Sequence, residues 1–292
     1  MDKLPEEILR EILSYNILIR REAFLLLELP GEYTSRARNP QLLRVSKRWL
    51  RIGTPLLYTF LWLATPEQVA AVAALFRAHP HVGRAVRGLQ LEGGFGRELV
   101  PLVRAAPNVE DVYLHLGIKS ADSVAGLTKA LALFDPSGLY VGLQTWRDNA
   151  SKRAVWAALH TCVTEKWTKL RVIDFWFVTR PAMTMQLVDM LARSSIKELA
   201  CSYRDIEGWI SKGHMKRILE APHLERVACR GARKEPMIRG MLQDHSYSEI
   251  DMKKFCFVRE PLDDDGTDDE WDLTSDSDTG NGNEAVFYIE EA

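Results

Sequence analysis

One short phrase recurs along the middle of the chain and limits what it can fold into: an apolar residue, two variable ones, then apolar, variable, apolar. It reads Val86-Arg87-Gly88-Leu89-Gln90-Leu91 and again Val109-Glu110-Asp111-Val112-Tyr113-Leu114. It returns as Leu139-Tyr140-Val141, Leu170-Arg171-Val172-Ile173-Asp174-Phe175, Ile196-Lys197-Glu198-Leu199-Ala200-Cys201, Leu224-Glu225-Arg226-Val227-Ala228-Cys229 and Met252-Lys253-Lys254-Phe255-Cys256-Phe257. The equivalent positions Leu89, Val112, Leu139, Ile173, Leu199, Val227 and Phe255 lie 23, 27, 34, 26, 28 and 28 residues apart. Alternation with period two is the pattern of a strand with one face in a core. Between the strands lie helix-patterned stretches, Glu98–Ala105, Ser123–Phe134, Lys152–Val163, Met185–Arg193 and Glu207–Glu220. One strand–helix unit cannot bury its apolar face alone, so such units gain stability by stacking. The expected fold class is α/β.

A phrase of this form at a spacing in the twenties resembles the leucine-rich repeat. The Asn or Cys that closes the strand in that family is largely absent, so the repeats are irregular. A solenoid over residues 85–259 is the expected arrangement. A doubly wound sheet is the competing way to alternate strands and helices. In a solenoid the variable strand positions share the face away from the helices. One column holds Gln90, Tyr113, Tyr140, Asp174, Ala200, Ala228 and Cys256; the next holds Glu92, His115, Gly142, Trp176, Ser202, Arg230 and Val258. Exposed Tyr, Trp and Arg are enriched at binding hot spots. Tyr113, Tyr140, Asp174, Trp176, Arg226 and Arg230 are therefore the client-binding candidates.

The N-terminus carries a different pattern. In Leu4-Pro5-Glu6-Glu7-Ile8-Leu9-Arg10-Glu11-Ile12-Leu13, Pro5 suits a first helical position and Glu6 and Glu7 suit the first turn. Ile8, Leu9, Ile12 and Leu13 follow at helical spacing. Further on, Leu42-Leu43-Arg44-Val45-Ser46-Lys47-Arg48-Trp49 spaces Leu42, Val45 and Trp49 by three and four. Over residues 1–62 these segments resemble an F-box, of a kind seen in fungal chains that continue with a phrase like Gly53-Thr54-Pro55-Leu56-Leu57-Tyr58. The chain departs from that family in the spacer of residues 14–41, longer than usual, although a loop insertion adds only a logarithmic closure cost.

The resemblance implies the substrate-receptor subunit of an SCF-type cullin–RING ubiquitin ligase. The F-box would bind a Skp-type adaptor, and through it a cullin. A helical connector over 63–84 would lead to the repeats, which would hold an unknown protein client. The adaptor-binding positions would be Leu4, Pro5, Ile8, Leu9, Ile12, Leu42, Leu43, Val45, Ser46 and Trp49. Leu4, Pro5 and Ile8 would face the adaptor most directly, with Trp49 internal to the helical unit. Such a subunit is not an enzyme; it acts by raising effective concentration. Two other readings are a leucine-rich-repeat scaffold with an F-box-like fold but no ligase role, and an enzyme of unrecognised type.

Catalytic signatures are thin. Gly93-Gly94-Phe95-Gly96 lacks the spacing of a dinucleotide fingerprint, and no Gly-Lys-Ser/Thr phosphate loop occurs. No CxxC or HxxxH supplies zinc-type spacing around His160-Thr161-Cys162, so neither metal nor cofactor is expected. Cys162, Cys201, Cys229 and Cys256 are too few and scattered for a disulfide framework, and read as core thiols. With no signal-peptide pattern and no apolar run near the ~20 residues of a membrane span, a cytoplasmic or nuclear location is expected.

Charge is distributed unevenly. Residues 260–292 hold thirteen of the 40 acids and no Lys or Arg, leaving 27 acids against 38 bases before them. The tail has the composition of a disordered segment, with Trp271 and Leu273 set among acids. The basic charges of the body are dispersed rather than gathered into a stripe, which argues against a nucleic-acid partner.

Overall fold

In the computed structural model, which describes residues 4–19, 21–25, 39–92, 96–142, 149–176 and 181–258, the residue before each strand sets the register of the next unit. The carbonyl of Thr59 accepts both Arg87 N–H and Gly88 N–H. Arg87 accepts from Glu110 and Asp111, Glu110 from Ser137 and Gly138, and Ser137 from Arg171 and Val172. Arg171 accepts from Lys197 and Glu198, and Lys197 from Glu225 and Arg226, all at 2.7–3.1 Å. A carbonyl has two lone pairs and can serve two donors. This repeated fork locks each strand start against its neighbour.

The strands are β1 (Phe60–Leu63), β2 (Gly88–Glu92), β3 (Asp111–His115), β4 (Gly138–Gly142), β5 (Val172–Trp176), β6 (Glu198–Ser202), β7 (Arg226–Arg230) and β8 (Phe255–Val258). They form one open parallel sheet in the order β1-β2-β3-β4-β5-β6-β7-β8. The order never reverses, so the sheet has no switch point and is not doubly wound. Right-handed crossovers then carry every connecting helix to the same face. The helices Pro66–Ala78, Leu99–Ala105, Ala125–Leu131, Ala150–Glu165 and Pro181–Arg193 pack in succession along it. The architecture is α/β and compatible with a solenoid.

Leu89, Val112, Leu139, Ile173, Leu199, Val227 and Phe255 are consecutive Cα partners across the sheet. All are buried in the core shared with the helices. Burying one such side chain contributes roughly 1.5–3 kcal/mol, so the row is a main source of cohesion. Cys201 and Cys229 are also partners, and both are buried free thiols.

Residues 63–84, expected as a helical connector, follow the first strand of the sheet and pack on its core. Leu61 pairs with Leu89, and the helix Pro66–Ala78 starts at a capping box between Thr65 and Gln68. The phrase was present as Tyr58-Thr59-Phe60-Leu61-Trp62-Leu63, 28 residues before Leu89. Apolar residues at its variable positions, Phe60 and Trp62, masked the alternation. The chain divides into Met1–Arg259 and Glu260–Ala292, and the acidic tail lies outside the described residues. Among the described residues no helix is long and apolar enough to cross a membrane.

Candidate functional site

The helix Glu6–Ile17 is apolar on two sides, and the structure buries only one. Leu9, Leu13 and Ile17 pack on Leu43 and Leu56, with Leu42, Trp49, Ile52 and Leu57 at the margin. Gly53 lies against Leu43, Ile17 and Leu13, where an added side chain would displace the Leu43 side chain first. Ser46 caps that helix, its hydroxyl oxygen accepting Trp49 N–H at 3.2 Å. Arg48 donates to the Leu4 carbonyl, and Arg51 pairs with Glu6. That hydrogen bond from Arg51 holds the Glu6 carboxyl below its usual range.

The opposite stripe of the same helix faces outward. Leu4, Ile8, Ile12 and Tyr15, spaced by four, four and three, are 37%, 44%, 41% and 76% exposed, and Val45 and Leu50 are exposed as well. Of the ten expected adaptor positions, Leu4, Pro5, Ile8, Ile12, Val45 and Ser46 are on the surface; Leu42 and Trp49 are half-buried. Leu9 and Leu43 are corrected to internal positions, because helical geometry turns Leu9 about 100° away from Ile8. Pro5 stands one place earlier than expected, at the N-cap.

The long spacer returns on itself: Asn39 N–H donates to the Asn16 carbonyl at 3.2 Å. Within that excursion the short helix Arg21–Leu25 docks on the sheet. Phe24 is fully buried against Phe60, ring centroids 4.9 Å apart. Arg21 grips the buried Asp111 with two hydrogen bonds, Nε to Oδ2 at 2.6 Å and Nη2 to Oδ1 at 2.7 Å, and reaches the Tyr140 hydroxyl at 3.3 Å. Two glycines make room. A Cβ at Gly88 would lie 2.8 Å from the Phe24 ring, and one at Gly138 would lie 2.6 Å from Asp111 Oδ1. Burial, reinforced by the Asp111 charge, pushes the Tyr140 phenol above its usual value.

The client-binding candidates need correction. Tyr113, Tyr140, Asp174 and Arg230 occupy the sheet face away from the core row, as expected, but all four are buried. The tyrosines lie along the sheet rather than standing out from it. The Tyr113 hydroxyl sits over Gly142 of the next strand and that of Tyr140 beside Gly138 of its own strand, each filling space that a glycine leaves open. Arg230 is spent on Asp174 and on the Phe175 carbonyl. The side chain of Trp176 lies outside the described residues. Only Arg226 is exposed, bonded to Cys256 Sγ at 3.0 Å and 3.6 Å from Glu198.

His160 meets Asp189 between helices at 2.8 Å, while Cys162 is buried beside it in the chain. Gly93, Gly94 and Phe95 lie outside the described residues. Among the described residues no three His, Cys, Asp or Glu side chains converge as metal ligands. A cleft lined by Arg171, Ser195, Lys197, Pro222, His223, Leu224 and Glu225 opens near the starts of the later strands. Its charges are already satisfied, Lys197 by Glu225 at 2.7 Å and Arg171 by Ser195 Oγ at 2.6 Å.

The sequence reading missed Tyr15, Arg21, Phe24 and Asp111. Tyr15 continues the 4-8-12 spacing and could have been found. No protein-family model matches this chain, and no curated protein matches it.

Proposed function

We propose that this chain is the substrate-receptor subunit of an SCF-type cullin–RING ubiquitin ligase, a client receptor built from an F-box and irregular leucine-rich repeats. The observation that carries the reading is the outward apolar stripe Ile8, Ile12 and Tyr15, with Leu4 just ahead of it in the chain, on a helix whose other face already has its core. An apolar helix stripe left in water is the kind of surface that marks a protein interface. Val45 and Leu50, on the second segment of the F-box resemblance, are exposed as well.

In this reading the helical segment takes the adaptor and the stacked sheet presents the client. Arg21 and Phe24 tie the spacer to strands β3 and β1, which supports a fixed path between the two ends. Ubiquitin transfer itself belongs to other subunits, and this chain supplies proximity.

Co-purification of residues 1–292 with a Skp-type adaptor tests the reading, beside a Leu4→Ala/Pro5→Ala/Ile8→Ala variant. A stoichiometric complex that the variant loses is expected. Well-folded protein that captures no adaptor would leave an interaction scaffold without a ligase role.

A further inference from the structure

We propose that Tyr203, Arg204 and Lys234, at the carboxyl ends of β6 and β7, form a docking site for an acidic, carboxylate-rich segment of a partner protein. The inference rests on the client-receptor reading and assigns the client's chemistry.

The site is assembled from two turns. Ser202 ends β6 and caps the helix Tyr203–Ser211, accepting Asp205 N–H at 3.3 Å, so the Tyr203 ring stands at the helix start. Gly231 follows β7 with φ +95°, a conformation glycine adopts without strain. A Cβ there would lie 2.9 Å from Tyr203 Cδ1, so the turn passes close against the tyrosine side chain. It delivers Lys234 to 5.8 Å from the ring centroid, and Arg204 stands at the same distance. Arg204 Nε also donates to the Tyr203 hydroxyl at 3.1 Å.

Two exposed cations thus share one aromatic ring, and among the described residues no carboxylate pairs with either. The acids next to them in sequence are already engaged. Asp205 is buried and accepts the Ser202 hydroxyl at 2.8 Å, and Glu235 holds Arg239 at 2.7 Å. Like charges gathered this way repel each other, and an anion relieves the repulsion. Contact with the Tyr203 hydroxyl and ring orders both cations in advance, which reduces the entropy lost on binding.

The spacing selects the ligand. The cations lie no further apart than twice their common distance to the ring. An extended peptide advances about 3.3 Å per residue, so carboxylates two or three residues apart reach both cations across the tyrosine. A nucleic acid gains affinity from neutralising many phosphates along a stripe, and this rim offers a pair.

The test is fluorescence anisotropy on the full-length chain, using a labelled peptide alternating Asp/Glu with Ala, its Asn/Gln counterpart, and oligothymidine. The acidic peptide should bind and the amide peptide should not. Arg204→Ala/Lys234→Ala should weaken binding at least about tenfold, as expected for losing charged contacts. Arg77→Ala/Arg104→Ala, with the same change in net charge elsewhere, should leave it unchanged. Equal affinity in the two double variants overturns the proposal, as does oligothymidine binding without peptide binding. Adaptor capture measured on the same proteins separates the two readings. Capture without acidic-peptide binding defeats this site alone; pair-dependent peptide binding without capture defeats the ligase reading alone.

Discussion

Arg230 on β7 reaches across β6 to pair with Asp174 on β5, and its second amino group takes the Phe175 carbonyl. The β5–β6 ladder is paired at Val172, Ile173 and Asp174 only, whereas β6–β7 is paired over five residues. Where the pairing of β5 with β6 ends, the guanidinium supplies a donor to a strand carbonyl. Ala200 and Ala228, small residues on the same sheet face, leave its path open.

Removing one partner of this pair should be costly, since both side chains are almost fully buried. Arg230→Ala leaves a buried carboxylate without its cation, and a loss of about 3–5 kcal/mol is expected. The double replacement Asp174→Leu/Arg230→Met should recover much of that. Urea unfolding midpoints of the three proteins measure it.

The Arg21–Asp111 contact makes a similar prediction between distant parts of the chain. Arg21→Ala should destabilise the fold by about 2 kcal/mol, because Asp111 is buried and loses two charged hydrogen bonds. Amide hydrogen exchange at Phe24 should quicken more than exchange at Ile218 in the far core. Equal quickening at both would mean that the contact does not anchor this helix.

The two faces of the Glu6–Ile17 helix should separate by mutation. Leu13 is fully buried, so Leu13→Ala should cost about 2–5 kcal/mol. Ile8→Ala/Ile12→Ala should change stability by no more than about 0.5 kcal/mol per site, as exposed substitutions do, yet abolish adaptor capture. Thermal unfolding beside co-purification distinguishes the effects.

His115 sets a pH dependence. Burial holds its imidazole below the usual 6.5 of a histidine, opposed by Glu92 and helped by Lys152. A depressed folded value means that the unfolded chain takes the proton first, so stability is complete above pH 6.5 and declines as pH falls below it. The slope is bounded by about 1.4 kcal/mol per pH unit and reduced by the ring's partial exposure. His115→Gln should flatten the decline between pH 7.5 and 5.5 in denaturant titrations. An unchanged slope would assign the decline to other groups.

Local pattern determined a good deal here. The period-two alternation set which residues face the core, and Leu89 through Phe255 fall in one row. Helical spacing likewise placed apolar residues on both sides of the first helix, but it could not say which side is internal. That was decided by Leu43, Gly53 and Leu56, which arrive from thirty or more residues along the chain.

Tertiary structure alone decided the fate of the polar face. Tyr113 and Tyr140 lie flat because Gly142 on the next strand and Gly138 on the same strand as Tyr140 leave gaps, and Arg230 is buried because Asp174 stands two strands away. The paired cations at Tyr203 come from turns some thirty residues apart. Alternation is a property of one strand and can be read along it. The orientation and charge state of a side chain depend on what the neighbouring units place beside it, and that information is spread across the chain.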